Sequence, residues 1–301
     1  MVLSEFLQPM KSYSNNDTSS NDTLRAQPWL GTYVSIAAQG KQAVVCNAIQ
    51  AAFDAIATVH HSMSFQNPCS ELSDLNRLAQ QRPVRVSAPV YRVLQASVAL
   101  AKVSNGCFDP TIAGRLVQDR VLPPPNANQI DEFANWKDIQ LLGNRYVQFS
   151  KPLWLDLSGI AKGFAVDLAI QTLKKNGVQA ATVNAGGDIR LFGRQQTVFV
   201  RNPHDLSKQI PLLELENGAV ATSANYFTDT DENPCALFDA ESQRYLQQPC
   251  SVTVTAPRAI WADALTKIVF AKRERCLPLL KRLNASAMLI NQDGSRLQIN
   301  G

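Results

Sequence analysis

Apolar and polar positions alternate through Leu30–Ala38, which predicts a strand opening the fold. Residues 41–63 change period. Val45, Ile49, Ala52, Phe53 and Ile56 fall on one stripe of an amphipathic helix. Ser70 is placed to cap a short helix running to Leu78. Pro89–Val103 reads as another helix, with Val90, Leu94, Val98 and Ala101 on one face and Gly106 shortly past its end. Strands are expected near 145–149 and 153–157. A helix follows from Ile160 to Lys175, burying Ala161, Phe164, Ala165, Leu168 and Thr172, with Gly177 as its cap. Beyond it the pattern gives strands at 180–184, 197–201, 219–222 and 250–255, and helices at 259–271 and 274–283. A hairpin around Asp293-Gly294 closes the chain. Helices interspersed with antiparallel-looking strands predict an α+β sandwich. Residues 1–28 read as a disordered lead-in, Ser-, Asn-, Asp- and Thr-rich over 11–25, and 29–301 as a single domain.

Composition narrows the function classes. The 301 residues carry a net charge of +4 with no basic tract and no Arg/Lys–aromatic interleaving, which suits a phosphate-bearing small molecule rather than nucleic acid. The six cysteines are scattered, with no CxxC, as in a protein of reduced thiols. The N-terminal stretch lacks a charged-then-apolar leader, and no stretch approaches the roughly 20 apolar residues of a transmembrane segment. A cytoplasmic location is the expectation.

Three segments carry candidate chemistry. Residues 156–167 read DLSGIAKGFAVD: a strand ending in an acid, a Ser-Gly turn, and a helix with Lys162 in its first turn. Free N–H groups, a glycine and an amine together could hold phosphate. An ordinary strand–turn–helix with a capping Asp and a solvated lysine fits equally. Residues 184–190, NAGGDIR, place two glycines where backbone could approach a ligand, or where a bulge carries a surface ion pair. In 251–271, Asp263 and Lys267 stand four apart on a helix. They form an ion pair flanked by apolar Ala262, Ala264, Leu265 and Ile268.

Taken in order, LGT (30–32), SELSDLN (70–76), GCFDPT (106–111), DLSGIAKGFAVD (156–167), NAGGDI (184–189), ATSANY (221–226), and SVTV with ADALTK (251–254, 262–267) resemble the FAD:protein FMN transferase (ApbE) family. The likeness spans residues 29–290. It implies a T-fold-like sandwich with the flavin in a cleft between two halves. It also implies transfer of the FMN half of FAD to a threonine hydroxyl of an acceptor flavoprotein, with release of AMP. By motif match, Leu30, Ser70, Cys107, Phe108, Asp109, Asp156 and Lys162 would line the FAD site. Asp263, Lys267 and Lys162 would act in catalysis, and Gly159 and Asp263 would hold Mg2+.

Two positions depart from the family pattern. Lys267 stands where the family has a threonine, and a charged ammonium cannot ligate magnesium. Thr266 lies one position early, about 100° round the helix. Ala236 stands where the family has a histidine, and His60, His61 and His204 lie outside that motif. The expectations are therefore weak Mg2+ binding and partial replacement of its charge by Lys267. The alternatives to transfer are an FAD-binding carrier, sensor or assembly factor, and an FAD pyrophosphatase.

Overall fold

A computed structural model describes residues 22–125, 127, 129–202, 205–224, 238–239, 244–245, 250–291 and 293–301. His204, Ala236 and the end of ATSANY lie outside the described residues, as do residues 1–21 of the expected lead-in. Residues 22–28 depart from that expectation. Asp22–Trp29 is strand β1, paired antiparallel along its whole length with β2 (Thr32–Gln39). Its polar composition hid it, because an edge strand with an exposed face has no need of strict alternation.

The elements that follow are α1 (Gln42–Met63), α2 (Glu71–Leu78), β3 (Val84–Arg85), α3 (Ala88–Val103), α4 (Ala113–Gln118), β4 (Ile139–Leu141), β5 (Tyr146–Phe149) and α5 (Ser158–Lys175). Then come β6 (Ala180–Ala185), β7 (Asp188–Phe192), β8 (Gln196–Asn202), β9 (Asp205–Leu215), β10 (Gly218–Ala224), β11 (Phe238–Asp239) and β12 (Arg244–Tyr245). The chain ends with β13 (Cys250–Ala256), α6 (Ala259–Lys272), α7 (Leu277–Arg282), β14 (Ser286–Asn291) and β15 (Arg296–Asn300). Eight strands form one antiparallel sheet in the order β1-β2-β6-β7-β10-β13-β14-β15, with smaller sheets from β3-β5-β4 and β8-β9. Helices α5 and α6 pack side by side on the large sheet, α5 over β6 and β7 and α6 over β10 and β13, with α1 against α5.

Helix α1 is long and apolar enough to match a membrane span, with a mean hydropathy of 1.3. Its apolar stripe, Val45, Ile49, Phe53, Ile56 and Val59, is buried in the core instead. Helices α5 and α6 are buried on nearly every side, so their sequences lose the one-sided stripe of a surface helix. Residues 153–157 are not a strand. Their backbone bonds a side chain, since Asn76 on α2 donates to Leu155 O (3.1 Å) and accepts from its N–H (2.8 Å). The expected 274–283 helix is a short 3-10 turn running into α7. No disulfide joins the cysteines among the described residues.

The α5–α6 contact has no slack at Gly163. A Cβ there would sit 2.2 Å from Ala259 O and 2.8 Å from Asp263 Cβ. Gly163→Ala is expected to destabilise the protein by about 1–3 kcal/mol, the usual cost of overpacking, read as a lower urea midpoint with an unchanged slope. An unchanged midpoint would mean that the two helices can move apart freely.

Candidate active site

Two hairpin tips, one helix start and the middle of another helix come together at one end of the sheet's strands. Leu30 and Gly31 form the two-residue β1–β2 turn with φ of +57° and +73°. Gly186 and Gly187 make the β6–β7 turn with φ of +61° and +102°. Both pairs lie in the left-handed region that a tight hairpin favours. A bulky residue there costs of the order of 1–3 kcal/mol, and Leu30 offsets this by packing on the core. A Cβ on Gly186 would lie 2.6 Å from Thr32 Oγ1, so the LGT and AGGD turns touch. His60 and His61, at the end of α1, stack edge-on against Trp29, the residue before Leu30 (5.6 and 5.7 Å).

At the start of α5, Asp156 accepts hydrogen bonds from the Ser158 N–H (3.0 Å) and hydroxyl (2.6 Å). Leu157 O accepts from the N–H groups of Ile160 and Ala161. The first-turn donors expected to be free for phosphate are thus largely used by the chain itself. Burial raises the Asp156 pKa above its ordinary value, opposed by the Ser158 hydrogen bonds and by the Lys267 charge. The 106–111 segment is tied to this turn through Asp156 N–H to Pro110 O (2.8 Å). Phe108 lies 3.5 Å from where a Gly159 Cβ would be.

Charge in the site is carried by side chains. Lys162 Nζ stands 2.7 Å from Asp188 Oδ2, and Lys267 Nζ 2.5 Å from Asp263 Oδ1. Both carboxylates are buried, at 3% and 1% exposed, whereas the lysines keep 28% and 25% of their side-chain surface. The acids are therefore the floor of the site and the lysine side chains its part-exposed face. Burial alone would lower the Lys162 pKa, but Asp188 and Asp263 outweigh it and raise the value, which secures the charge. Asp188 is pushed up to about 6, by burial first and then by Asp263, against the opposing pull of Lys162 and Lys267. Lys162 approaches Asp188 Oδ2 off the line of a full hydrogen bond, and that buried oxygen has no other partner.

Other residues marked in the sequence are bonded to or buried in the framework. The Ser70 hydroxyl caps α2, accepting from Ser73 N–H (3.0 Å) and donating to Ser64 O (2.7 Å). Asp109 holds its own loop through the Thr111 N–H and hydroxyl (2.8 and 2.7 Å). Burial raises its pKa despite these bonds. Cys107 and Phe108 are buried. Any role for Ser70 or Asp109 toward a ligand would have to act alongside these bonds.

The fit of a magnesium ion to Gly159 and Asp263 is poor. Asp263 Oδ1 and its backbone carbonyl both receive Lys267 Nζ (2.5 and 3.0 Å), and Oδ2 receives the Gly163 N–H (2.9 Å). The Thr266 hydroxyl donates to Asp263 O (2.7 Å) and also bonds Ser223 (2.8 Å). The Asp263 oxygens are already engaged, and an ammonium stands among them.

Sequence reasoning missed Asp167, the last residue of DLSGIAKGFAVD. It is 1% exposed and accepts from Arg190 (2.5 Å), Arg258 (3.3 Å) and the N–H groups of Ala259 (2.8 Å) and Ile260 (3.2 Å). One carboxylate thus fastens β7 and the start of α6 to α5. An acid inside a helix apolar on nearly every side was the available signal. A cavity of about 210 Å³ beside Asp167, lined by Arg92, Phe164, Gln171 and Trp261 among others, shares no residue with the lysine–aspartate cluster.

The model of the ApbE family matches residues 30–290. The chain is 28% identical over 258 residues to the FAD:protein FMN transferase of Haemophilus influenzae, covering 77% of this chain and 75% of that relative. The structure of the ApbE protein from Thermotoga maritima superposes with a TM-score of 0.79 at 25% identity, covering 92% of this chain and 96% of that one. The flavin transferase ApbE from Vibrio cholerae superposes with a TM-score of 0.80 at 22% identity, covering 94% and 98%. The expected α+β architecture is the one found. With a match running from residue 30 to residue 290, this chain belongs to the ApbE family.

Proposed function

We propose that this chain is an FAD:protein FMN transferase. The observation that carries the reading is the pair of part-exposed lysine side chains, Lys162 and Lys267, held over a buried acidic floor beside two glycine turns. Such an arrangement suits an anionic diphosphate whose backbone must pass close to main chain. The acceptor is a flavoprotein with a flavinylation threonine. Its hydroxyl oxygen forms a bond to the FMN phosphorus, the bond from that phosphorus to the bridging oxygen of AMP breaks, AMP leaves with the electron pair, and the hydroxyl proton passes to solvent. Phosphoryl-type transfer of this kind depends on positioning and on neutralising charge. In this chain Lys162 and Lys267 supply fixed positive charge, Asp188 and Asp263 hold each ammonium in place, and Asp167 keeps α5, α6 and β7 in register. Magnesium, which the family resemblance implies, would have to displace Lys267 from Asp263.

Purified protein incubated with FAD and a flavoprotein carrying the acceptor threonine should add the mass of one FMN to that threonine, with AMP released in equal amount. AMP release without a modified acceptor would point to water as the acceptor. Lys162→Ala is expected to weaken FAD binding by about 1–3 kcal/mol, measured by flavin fluorescence titration. It should weaken riboflavin binding far less, and equal losses would remove the lysine from the diphosphate.

The site also predicts a pH dependence. Asp188 is neutral below about 6 and charged above it, so the anionic ligand meets one more like charge as pH rises through that value. FAD affinity is expected to fall between about pH 5 and pH 7, a range of about one unit either side of this pKa. Asp188→Asn should flatten the profile, and a wild-type profile without this fall would place the diphosphate away from Asp188.

A further inference from the structure

We propose that Lys267 takes the place of the divalent cation in this site, so that the chain binds and neutralises its diphosphate with two ammonium groups and no metal ion. The identity of the diphosphate as FAD rests on the reading above; the cation claim rests on the site itself. Divalent magnesium demands a near-octahedral set of oxygens at short range. Here the oxygens of Asp263 that could supply them are engaged: Oδ1 and the main-chain carbonyl by the Lys267 ammonium, and Oδ2 by Gly163 N–H. The neighbouring hydroxyl of Thr266 is fully buried and spent on Asp263 O and Ser223.

The lysine stem also fills the space on the Gly159 side. A Cβ on Gly159 would lie 3.7 Å from Lys267 Cε. The ammonium cannot simply share the site with a metal, since Coulomb repulsion from a divalent ion is twice that from a second unit charge at the same distance. Nor does it wander freely, because a side chain only a quarter exposed is pinned by two oxygens of one residue.

Charge counting supports the substitution. Asp156, Asp188 and Asp263 feel one another or the two lysines electrostatically, which sets three acids against Lys162 and Lys267. Lys267 brings one unit of positive charge where a divalent ion would bring two, and with Lys162 the charge is distributed over α5 and α6 instead of concentrated at a point. A lysine in place of a neutral side chain thus brings the site one charge closer to balance than a threonine there would.

The test uses the intact protein and two readouts. Calorimetric titration of FAD in EDTA and in millimolar magnesium should give the same wild-type affinity. Lys267→Thr should bind about tenfold or more weakly in EDTA, the usual worth of a charged hydrogen bond, and recover in magnesium. Wild-type FAD affinity that collapses in EDTA overturns the proposal. Electron paramagnetic resonance with Mn2+ as the probe, without FAD, decides the cation question independently. Wild type is expected to show no bound Mn2+ at Asp263, and Lys267→Thr to acquire it. A bound Mn2+ signal in wild type that disappears in Asp263→Asn overturns the proposal whatever the flavin does. Failure of FAD to bind under every condition would sink the flavin reading instead, and the Mn2+ arm would still decide the role of Lys267.

Discussion

Helices α5 and α6 touch main chain to main chain at Gly163, and that contact sets the geometry of the site. With no Cβ in the way, Ala259 O and the Asp263 side chain close onto the α5 backbone, and Asp263 Oδ2 accepts the Gly163 N–H at 2.9 Å. The same approach brings Lys162, one residue earlier on α5, within electrostatic reach of Asp263 on α6. A second fastening lies one turn along, where Asp167 accepts from two N–H groups at the start of α6 and from Arg190 on β7. A capping carboxylate supplied by another helix gives α6 both a satisfied N-terminus and a fixed position. Asp188 stands two residues from Arg190 on β7, so the clamp that holds the helices also sets the strand bearing the partner of Lys162.

Burying charge in this way is costly unless each group is paired. Burial is the largest influence on Asp156, Lys162 and Asp188 alike, and each is opposed by a neighbour of opposite charge or by hydrogen bonds. The net result differs between them. Lys162 gains enough from two acids to hold its proton, whereas Asp188 has its like-charged neighbour Asp263 added to the cost of burial. A site built so, with acids below and amines above, presents positive charge to a ligand while remaining close to neutral within.

The turns around this cluster carry the remaining strain. Leu30 occupies a left-handed position that Asn or Gly would fill more easily, next to Gly31 and against the Gly186 turn. Leucine there trades backbone comfort for an apolar surface at the mouth of the site. The neighbouring Trp29–His60–His61 stack gives that surface a rigid backing.

The sequence by itself determined the elements whose signals are local. Helix α1 follows from its stripe, α2 from its Ser70 cap, and β13 and α6 from alternation giving way to a helical run, because each depends on residues a few positions apart. Ordered motifs were enough to identify the family, and the Lys267 departure was visible in ADALTK. Three things were decided only by tertiary structure. Strand β1 depends on its pairing with β2, the 153–157 segment is held by Asn76 about 79 positions away in sequence, and the helix-start amides were claimed by the chain's own acceptors. The charge cluster belongs to the same class. Lys162, Asp188, Asp263 and Lys267 lie on three elements far apart in the chain. Which lysine meets which acid, and which acid has its pKa raised, follows from burial and distance, quantities that exist only after the helices have closed over the sheet.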